Sequence, residues 1–144
     1  MELAINTDAC AGNAQEEVDF LEHVQFVVSL TATRRGSVVM YIVSPMNTTT
    51  MILSPRPKDT DSKIGFRHWP FMTTHMWAER PRGQWRLRVM IDPHERQYQQ
   101  GELTFWALEL HGTKQSPYVG QNIKRQNSKL EIVKKTHDNW ALEA

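Results

Sequence analysis

The sequence predicts an all-β fold, either a sandwich or a barrel. The strongest observation is the segment HVQFVVSLTAT at residues 23–33, where apolar side chains recur at every second position, as in a strand with one buried face. The second is a series of short β-branched runs separated by turn signals rich in Gly, Pro, Ser and Asn. The third is that no long amphipathic helical pattern precedes residue 114.

The first half of the chain contains a strand-like stub and three clearer strands. The stub, residues 3–5, precedes a polar loop and the long strand of residues 23–33. A turn at Arg34-Arg35-Gly36-Ser37 leads to a second strand over residues 38–43, which is rich in Val and Ile. A turn at Ser44-Pro45-Met46-Asn47 then leads to a third strand over residues 49–53.

The second half alternates loops and strands in the same way. Residues 54–68 are predicted to be a loop, and the aromatic segment WPFMTTHMW follows at residues 69–77. Residues 85–89 alternate apolar side chains with arginine, which indicates a strand with one dry and one wet face. The last strand spans residues 103–111, and Leu103 is out of phase with its neighbours, which predicts a β-bulge.

The composition limits the classes of protein and of binding partner to consider. The chain has 144 residues with 40% hydrophobic and 23% charged side chains, which suffices for a core of ordinary size. A formal net charge of +1 does not favour binding to nucleic acid. No apolar run has the length of a membrane span, and the N-terminus lacks the pattern of a signal peptide, so it is expected to be the middle of a longer protein.

Residues that could carry chemistry are scattered. His111-Gly112-Thr113 is similar to the surroundings of a catalytic histidine in subtilases, but no nucleophile motif accompanies it, so no catalytic residue is predicted. The six histidines and the single cysteine lack the spacing of zinc ligands, and no metal site is predicted. Asp59 and Asp61 are too few for calcium and are expected in a solvated loop.

Two further residues have alternative interpretations. Cys10 is either a buried free thiol or half of a disulfide, and composition does not decide between them. Asn47-Thr48-Thr49 is a valid N-glycosylation triplet at a predicted turn, and it is meaningful only in a secreted protein.

A combination of motifs resembles the P domain of kexin- and furin-like proprotein convertases. The run LEHVQFVVSLTATRRG is followed by SPM, then by WPFMTTHMWAE and PRGQW, and finally by GELTFWALELHGT. The resemblance covers about residues 20–113 and is specific, because WPFMTTH and LHGT rarely occur together elsewhere. The flanks NTDACAGN and SPYVGQNIKRQNSKL narrow it to one member of the family.

The resemblance implies a jelly-roll-like β-sandwich of the galactose-binding-domain type. It implies a monomeric, non-catalytic domain that stabilises and regulates a calcium-dependent serine endoprotease. That protease would cut prohormones and proneuropeptides after paired basic residues in the secretory pathway, in dense-core granules or outside the cell. The catalytic domain of the same protein would be the partner, with its catalytic residues upstream, and no cofactor would bind the present chain. Cys10 would then pair with a cysteine just before residue 1.

The resemblance also implies a division of the chain. Residues 1–19 would be a strand and linker from the missing catalytic domain, residues 20–113 the P domain, and residues 114–144 a tail. The tail carries six Lys or Arg against three acids, with Val and Leu at helical spacing. A basic amphipathic helix with weak contact to a membrane surface and a disordered tail both fit this pattern.

Three residues depart from the family pattern. Ser37 replaces an aspartate, so that Arg35-Gly36-Ser37 is only similar to an Arg-Gly-Asp turn. Ala78 and Asn47 each replace a common glycine, and Asn47 creates the glycosylation triplet.

The aromatic segment provides the interface candidates. An excess of large apolar side chains in nine residues suggests that some fill the core while others face the missing protease domain. The candidates are Trp69, Phe71, Met72, Met76 and Trp77. The alternative is that all five are core, and the competing functions are a free-standing carbohydrate- or protein-binding module and a small hydrolase.

Overall fold

The computed structural model describes residues 1–95 and 98–118, and in them it shows strands and one short 3₁₀ turn, Arg35–Ser37. The strands are β1 (Glu2–Thr7), β2 (Phe20–Ala32), β3 (Val38–Val43), β4 (Thr49–Leu53), β5 (Phe66–Thr73), β6 (Gly83–Ile91) and β7 (Gly101–Thr113). The all-β prediction is confirmed. Within the described ranges, no helix is long and apolar enough to cross a membrane. The predicted tail helix, from residue 119 onwards, lies outside the described residues.

The strands form two antiparallel sheets that pack as a sandwich. The large sheet has the order β1-β6-β3-β4, and the small sheet has the order β5-β2-β7. The stub at residues 3–5 is part of β1, which pairs with β6 along its whole length, from Glu2 opposite Arg88 to Thr7 opposite Gly83. In this structure β1 therefore belongs to the sandwich, while the boundaries at residues 19 and 113 stay predictions.

The core lies between the two sheets and follows the period-two patterns of the sequence. Val24, Phe26 and Val28 of β2 are fully buried, and so are Trp85 and Leu87 of β6. These are the alternate positions predicted to form the dry faces of the two strands, and that prediction is confirmed. The buried Trp85 keeps its one polar atom satisfied, because its Nε1 donates to the Pro81 carbonyl oxygen at 2.8 Å.

Three register shifts interrupt the small sheet, one of them between Leu21 and His23 of β2 in its pairing with β7. In the β2–β7 pair, Ser29 opposes Phe105 but Leu30 opposes Leu103, which leaves an extra residue in β7 and confirms the predicted bulge. In the β2–β5 pair, Val28 opposes Trp69 but Leu30 opposes Phe66. The prediction of a loop up to residue 68 is therefore wrong at its end, because β5 begins at Phe66 and the bulge interrupts its alternation.

Candidate docking surface and the turns around it

The outer face of the small sheet carries a continuous line of apolar side chains. Val27 of β2 pairs with Pro70 on one side and Ala107 on the other. Met72 on β5 is 58% exposed and Phe105 on β7 is 42% exposed. Because side chains alternate between the faces of a strand, all five point away from the core that Phe26 and Val28 fill. We name Val27, Pro70, Met72, Phe105 and Ala107 the apolar stripe.

Polar side chains border the apolar stripe at both ends. At one end the ring centroids of His68 and Phe105 lie 5.0 Å apart. The backbone N–H of His68 donates to Ser29 Oγ at 3.0 Å. At the other end the rings of His23 and His111 stack with centroids 4.2 Å apart. An apolar centre with a polar rim is the anatomy of a protein–protein interface.

The outer face of the large sheet is different, because ion pairs cross it. Glu2 on β1 accepts a hydrogen bond from Arg88 Nε, and its other oxygen lies 3.8 Å from Arg86 Nη1. Met51 and Met90, 48% and 46% exposed, also lie on this face, beside their register partners Tyr41 and Val39 on β3. The two outer faces therefore differ in character: ion pairs between β1 and β6 cross that of the large sheet, whereas the apolar stripe crosses that of the small sheet.

The structure does not bring the predicted interface residues onto one face. Met72 is in the apolar stripe, whereas Trp69 opposes Val28 and emerges at the rim, 46% exposed and edge-to-face with Phe66 at 5.5 Å. Phe71 is half-buried and stacks on Phe26 with centroids 5.5 Å apart. A role in docking stays a prediction for Trp69 and Met72, while Phe71 packs against the core.

The turn after β5 separates the last two candidates. Met76 is 1% exposed and belongs to the core, so its inclusion among the interface residues is corrected. The cause is that the chain folds back at this point, where the Trp77 N–H donates to the Thr74 carbonyl and the Glu79 N–H donates to the Met76 carbonyl. Trp77 is 48% exposed at the tip of this turn, and a role for it in docking stays a prediction.

Arg35 is bound internally rather than presented to solvent. Its Nε and Nη2 donate to the two carboxylate oxygens of Asp59 at 2.8 and 3.0 Å, and its Nη1 donates to the Gly65 carbonyl at 3.2 Å. The hydrogen bond from Arg35 lowers the pKa of Asp59 below its usual value, as does the backbone N–H of Asp61. The expectation of a solvated loop is wrong for Asp59, because the carboxylate is held by a bidentate ion pair.

Asp61 organises the same loop through the backbone. Its carboxylate accepts hydrogen bonds from the N–H groups of Ile64 and Gly65, each at 3.0 Å. These bonds, the Gly65 bond foremost, lower the pKa of Asp61 below its usual value. The two aspartates are therefore structural. The role of Asp59 depends on the distant partner Arg35, which local sequence does not identify.

Gly36 and Ser37 add further contacts between the Arg35 turn and the neighbouring loops. A Cβ on Gly36 would lie 2.2 Å from the Arg56 carbonyl oxygen and 2.4 Å from that of Asp59, so no side chain fits there. The Ser37 Oγ donates to Glu95 Oε2 at 2.7 Å. The turn that is similar to Arg-Gly-Asp thus joins two loops inside the domain, and a recognition role for it stays untested.

Glu79 fastens a second pair of turns. Its carboxylate accepts hydrogen bonds from Ser44 Oγ at 2.6 Å and from Thr48 Oγ1, which ties the β3–β4 turn to the turn before β6. Both turns contain a residue at positive φ, Asn47 at 66° and Ala78 at 63°. The resemblance implies glycine at both positions, and a positive φ is a conformation that glycine adopts without strain.

His111-Gly112-Thr113 is a structural segment of β7. A Cβ on Gly112 would lie 2.0 Å from the Phe20 carbonyl oxygen, so glycine is required for β2 and β7 to approach. His111 stacks on His23 at the adjoining pair. In residues 1–95 and 98–118, no group of three or more His, Cys, Asp or Glu is arranged to hold a metal ion.

Cys10 is an exposed free thiol in the structure and has a φ of 57°. The expectation of a buried thiol is therefore wrong. Because Cys10 is the single cysteine of the chain, its pairing with a cysteine upstream of residue 1 stays a prediction.

Fold and surface together define a class: a β-sandwich domain with one apolar outer face, the kind of surface that packs on a partner. The family model described as "Proprotein convertase P-domain" matches residues 21–110. The chain belongs to the proprotein convertase P-domain family.

Curated relatives agree with the family model and with the member that the flanking segments indicated. The chain is 52% identical over 137 residues to neuroendocrine convertase 2 of Caenorhabditis elegans, a match that covers 94% of the chain and 21% of the relative. It is 47% identical over 133 residues to neuroendocrine convertase 2 of Homo sapiens, with 92% and 20% covered. The chain therefore spans about a fifth of the length of these relatives.

A solved structure shares the fold. A serine protease of Aeromonas sobria superposes with a TM-score of 0.58 at 20% sequence identity, and the match covers 78% of this chain and 23% of that protease. A second structure, that of the same kind of protease in complex with a chaperone, gives a TM-score of 0.57 at 21% identity and covers 27% of that chain. At these identities the likeness concerns the fold alone.

Proposed function

We propose that this P domain docks on the catalytic domain of its own polypeptide and thereby stabilises and regulates a subtilisin-like, calcium-dependent serine endoprotease. The observation that carries the proposal is the apolar stripe on the outer face of the small sheet. The protease would process prohormones at paired basic residues in the secretory pathway, including dense-core granules, and calcium would bind the protease rather than the described residues. The whole protein would be monomeric.

The stripe supports docking through its composition and its place in the fold. Met72 and Phe105 leave large apolar areas in water, and burying apolar surface contributes about 25 cal/mol per Å². The chain spans about a fifth of the length of its relatives, and the proposal takes the occupant from the corresponding remainder of the same polypeptide. An occupant that is covalently attached is present at high effective concentration, so a modest apolar surface suffices.

The test is charge insertion into the apolar stripe of the full-length protein. Met72→Glu and Phe105→Glu should leave the sandwich folded but reduce secretion and the calcium-dependent cleavage of a dibasic peptide by tenfold or more. Met90→Glu is the matched control, because Met90 is similarly exposed on the outer face of the large sheet. If the stripe variants behave like Met90→Glu, the small sheet does not dock the protease domain.

The isolated chain should have no protease activity. The His111 segment is structural, and the proposal places the catalytic groups elsewhere in the polypeptide. Purified chain incubated with a dibasic fluorogenic peptide and calcium should give the rate of buffer alone. A calcium-dependent rate that a serine-directed inhibitor abolishes would contradict this assignment and support the small hydrolase instead.

A free-standing carbohydrate-binding module is less well supported. Such a site would need several exposed aromatic rings that form one platform. Trp69 emerges at the rim beside Phe66, while Trp77 lies on the turn after β5, so these two exposed tryptophans of the described residues do not share one strand face.

A further inference from the structure

The turn between β3 and β4 carries a modification signal that docking does not use. Asn47-Thr48-Thr49 is the single Asn-X-Ser/Thr triplet in the sequence. Asn47 is exposed and Thr49 is the first, exposed residue of β4. Both side chains that define the triplet therefore face solvent.

The middle residue of the triplet is used differently. Thr48 Oγ1 donates to Glu79, and the Thr48 N–H donates to Ser44 Oγ at 3.2 Å. The turn is further closed by the Asn47 N–H, which donates to the Ser44 carbonyl at 2.9 Å. Asn47 thus lies exposed on a turn that hydrogen bonds hold in place, and the side chain of Thr48 points inward to make one of them.

The backbone of Asn47 has a φ of 66°, in the left-handed region. Asparagine tolerates this region better than most residues, so Asn47 is compatible with the turn without any modification. Turn formation alone therefore explains an Asn here. Thr49 is likewise a favoured residue at the start of strand β4, so the local structure accommodates the triplet without requiring it.

The side-chain amide of Asn47 leaves the reacting nitrogen accessible. Its Oδ1 accepts a hydrogen bond from Arg86 Nη2 at 3.1 Å, and this bond orients the amide group. N-glycosylation uses Nδ2 and leaves Oδ1 as a carbonyl oxygen, so the bond to Arg86 is compatible with the modified side chain.

We propose that Asn47 carries an N-linked oligosaccharide, an inference that rests on the proposed passage through the secretory pathway. In the transfer, Asn47 Nδ2 forms a bond to the anomeric carbon of a lipid-pyrophosphate-linked oligosaccharide. The bond from that carbon to the pyrophosphate oxygen breaks, the lipid pyrophosphate leaves with the electron pair, and the amide nitrogen loses one proton.

A glycan on Asn47 would also show that the β3–β4 turn stays exposed to solvent in the full-length protein. Asn47 belongs to a turn of the large sheet, whereas the apolar stripe lies on the outer face of the small sheet. A hydrated oligosaccharide on this turn and a protein docked on the apolar stripe are therefore compatible. The β3–β4 turn should remain uncovered in the full-length protein.

The experiment is site mapping on the full-length protein secreted from cultured cells. Trypsin should release a peptide spanning residues 36–58, which contains the triplet. In the wild type this peptide should carry an oligosaccharide, and peptide N-glycosidase should remove it and convert Asn47 to aspartate. Thr49→Ser should retain the modification, while Thr49→Ala should abolish it.

Asn47→Gly is the control for folding, because glycine accepts the positive φ while removing the reacting amide. It should be secreted and active but lack the mass shift. An unmodified peptide from secreted, active wild-type protein would overturn the Asn47 site and leave the proposed function intact. Failure of the wild type to enter the secretory pathway would overturn both.

Discussion

Ala78 lies in a backbone conformation that favours glycine, and Ala78→Gly should stabilise the domain. Its φ is 63°, where an L-residue costs about 1–2 kcal/mol relative to ordinary helical or extended backbone. The conformation is imposed by two hydrogen bonds, from the Ala78 N–H to the Leu21 carbonyl at 2.7 Å and from the Leu21 N–H to the Glu79 carbonyl at 3.0 Å. The strain is therefore retained in the folded state.

The expected gain in the free energy of unfolding is the backbone strain at Ala78 minus the entropic cost of ordering a glycine. Glycine has more freedom in the unfolded chain, which costs about 0.5–1 kcal/mol. The net stabilisation from Ala78→Gly should be about 0.5–1 kcal/mol. For a domain of this size, that change raises the Tm by roughly 2–6 °C.

Thermal and denaturant unfolding of the chain would measure the effect. Ala4→Gly is the control, because Ala4 is an exposed alanine with ordinary strand backbone in β1, where glycine should destabilise by about 0.5–1 kcal/mol. Opposite signs for the two variants are expected. If Ala78→Gly lowers the Tm as Ala4→Gly does, the strain argument is refuted.

Three further outcomes are expected. Asp59→Asn should destabilise the domain by about 1–2 kcal/mol at neutral pH. Because Arg35 lowers the pKa of Asp59, this stabilisation is present above the ordinary value of 3.8 and is lost as pH falls through the folded value, so unfolding curves of the two proteins should converge in acid. Phe71→Ala should cost the isolated chain about 2–4 kcal/mol because the ring packs on the core, whereas Trp77→Ala should barely change its melting curve. In the full-length secreted protein Cys10 should be disulfide-bonded, adding roughly 2–4 kcal/mol, and its alkylation without reduction would reject the pairing.

The strands are predictable from sequence where one face of the strand is buried and the other is exposed. The alternation around Val24 and Phe26 specified β2 and its inner face, and the phase error at Leu103 indicated the bulge in β7. The start of β5 at Phe66 was missed, because its bulge at residues 67–68 disrupts the period on which the prediction depends. A phase error reveals a bulge only where an adjoining alternating run defines the phase, as it does after Leu103.

The surface was less predictable than the core. The aromatic segment indicated an interface, but local sequence did not separate Met76, which folds inward, from Met72, which faces outward. The apolar stripe draws on three strands, and Val27 and Ala107 become neighbours only through the register of β2 and β7. A surface assembled across strands has no signature in any single segment.

The strand order has a consequence for synthesis on the ribosome. β1 and β2 emerge first, yet β1 pairs with β6 and β2 pairs with β7, so Glu2 finds Arg88 at a sequence separation of 86 residues. The large sheet cannot be completed until β6 has left the exit tunnel, and the small sheet cannot be completed until β7 has left it. Until then the nascent chain exposes unpaired edges and apolar faces, which favours aggregation. This domain should therefore fold only after its last strand is released, and it depends on protection of the growing chain until that moment.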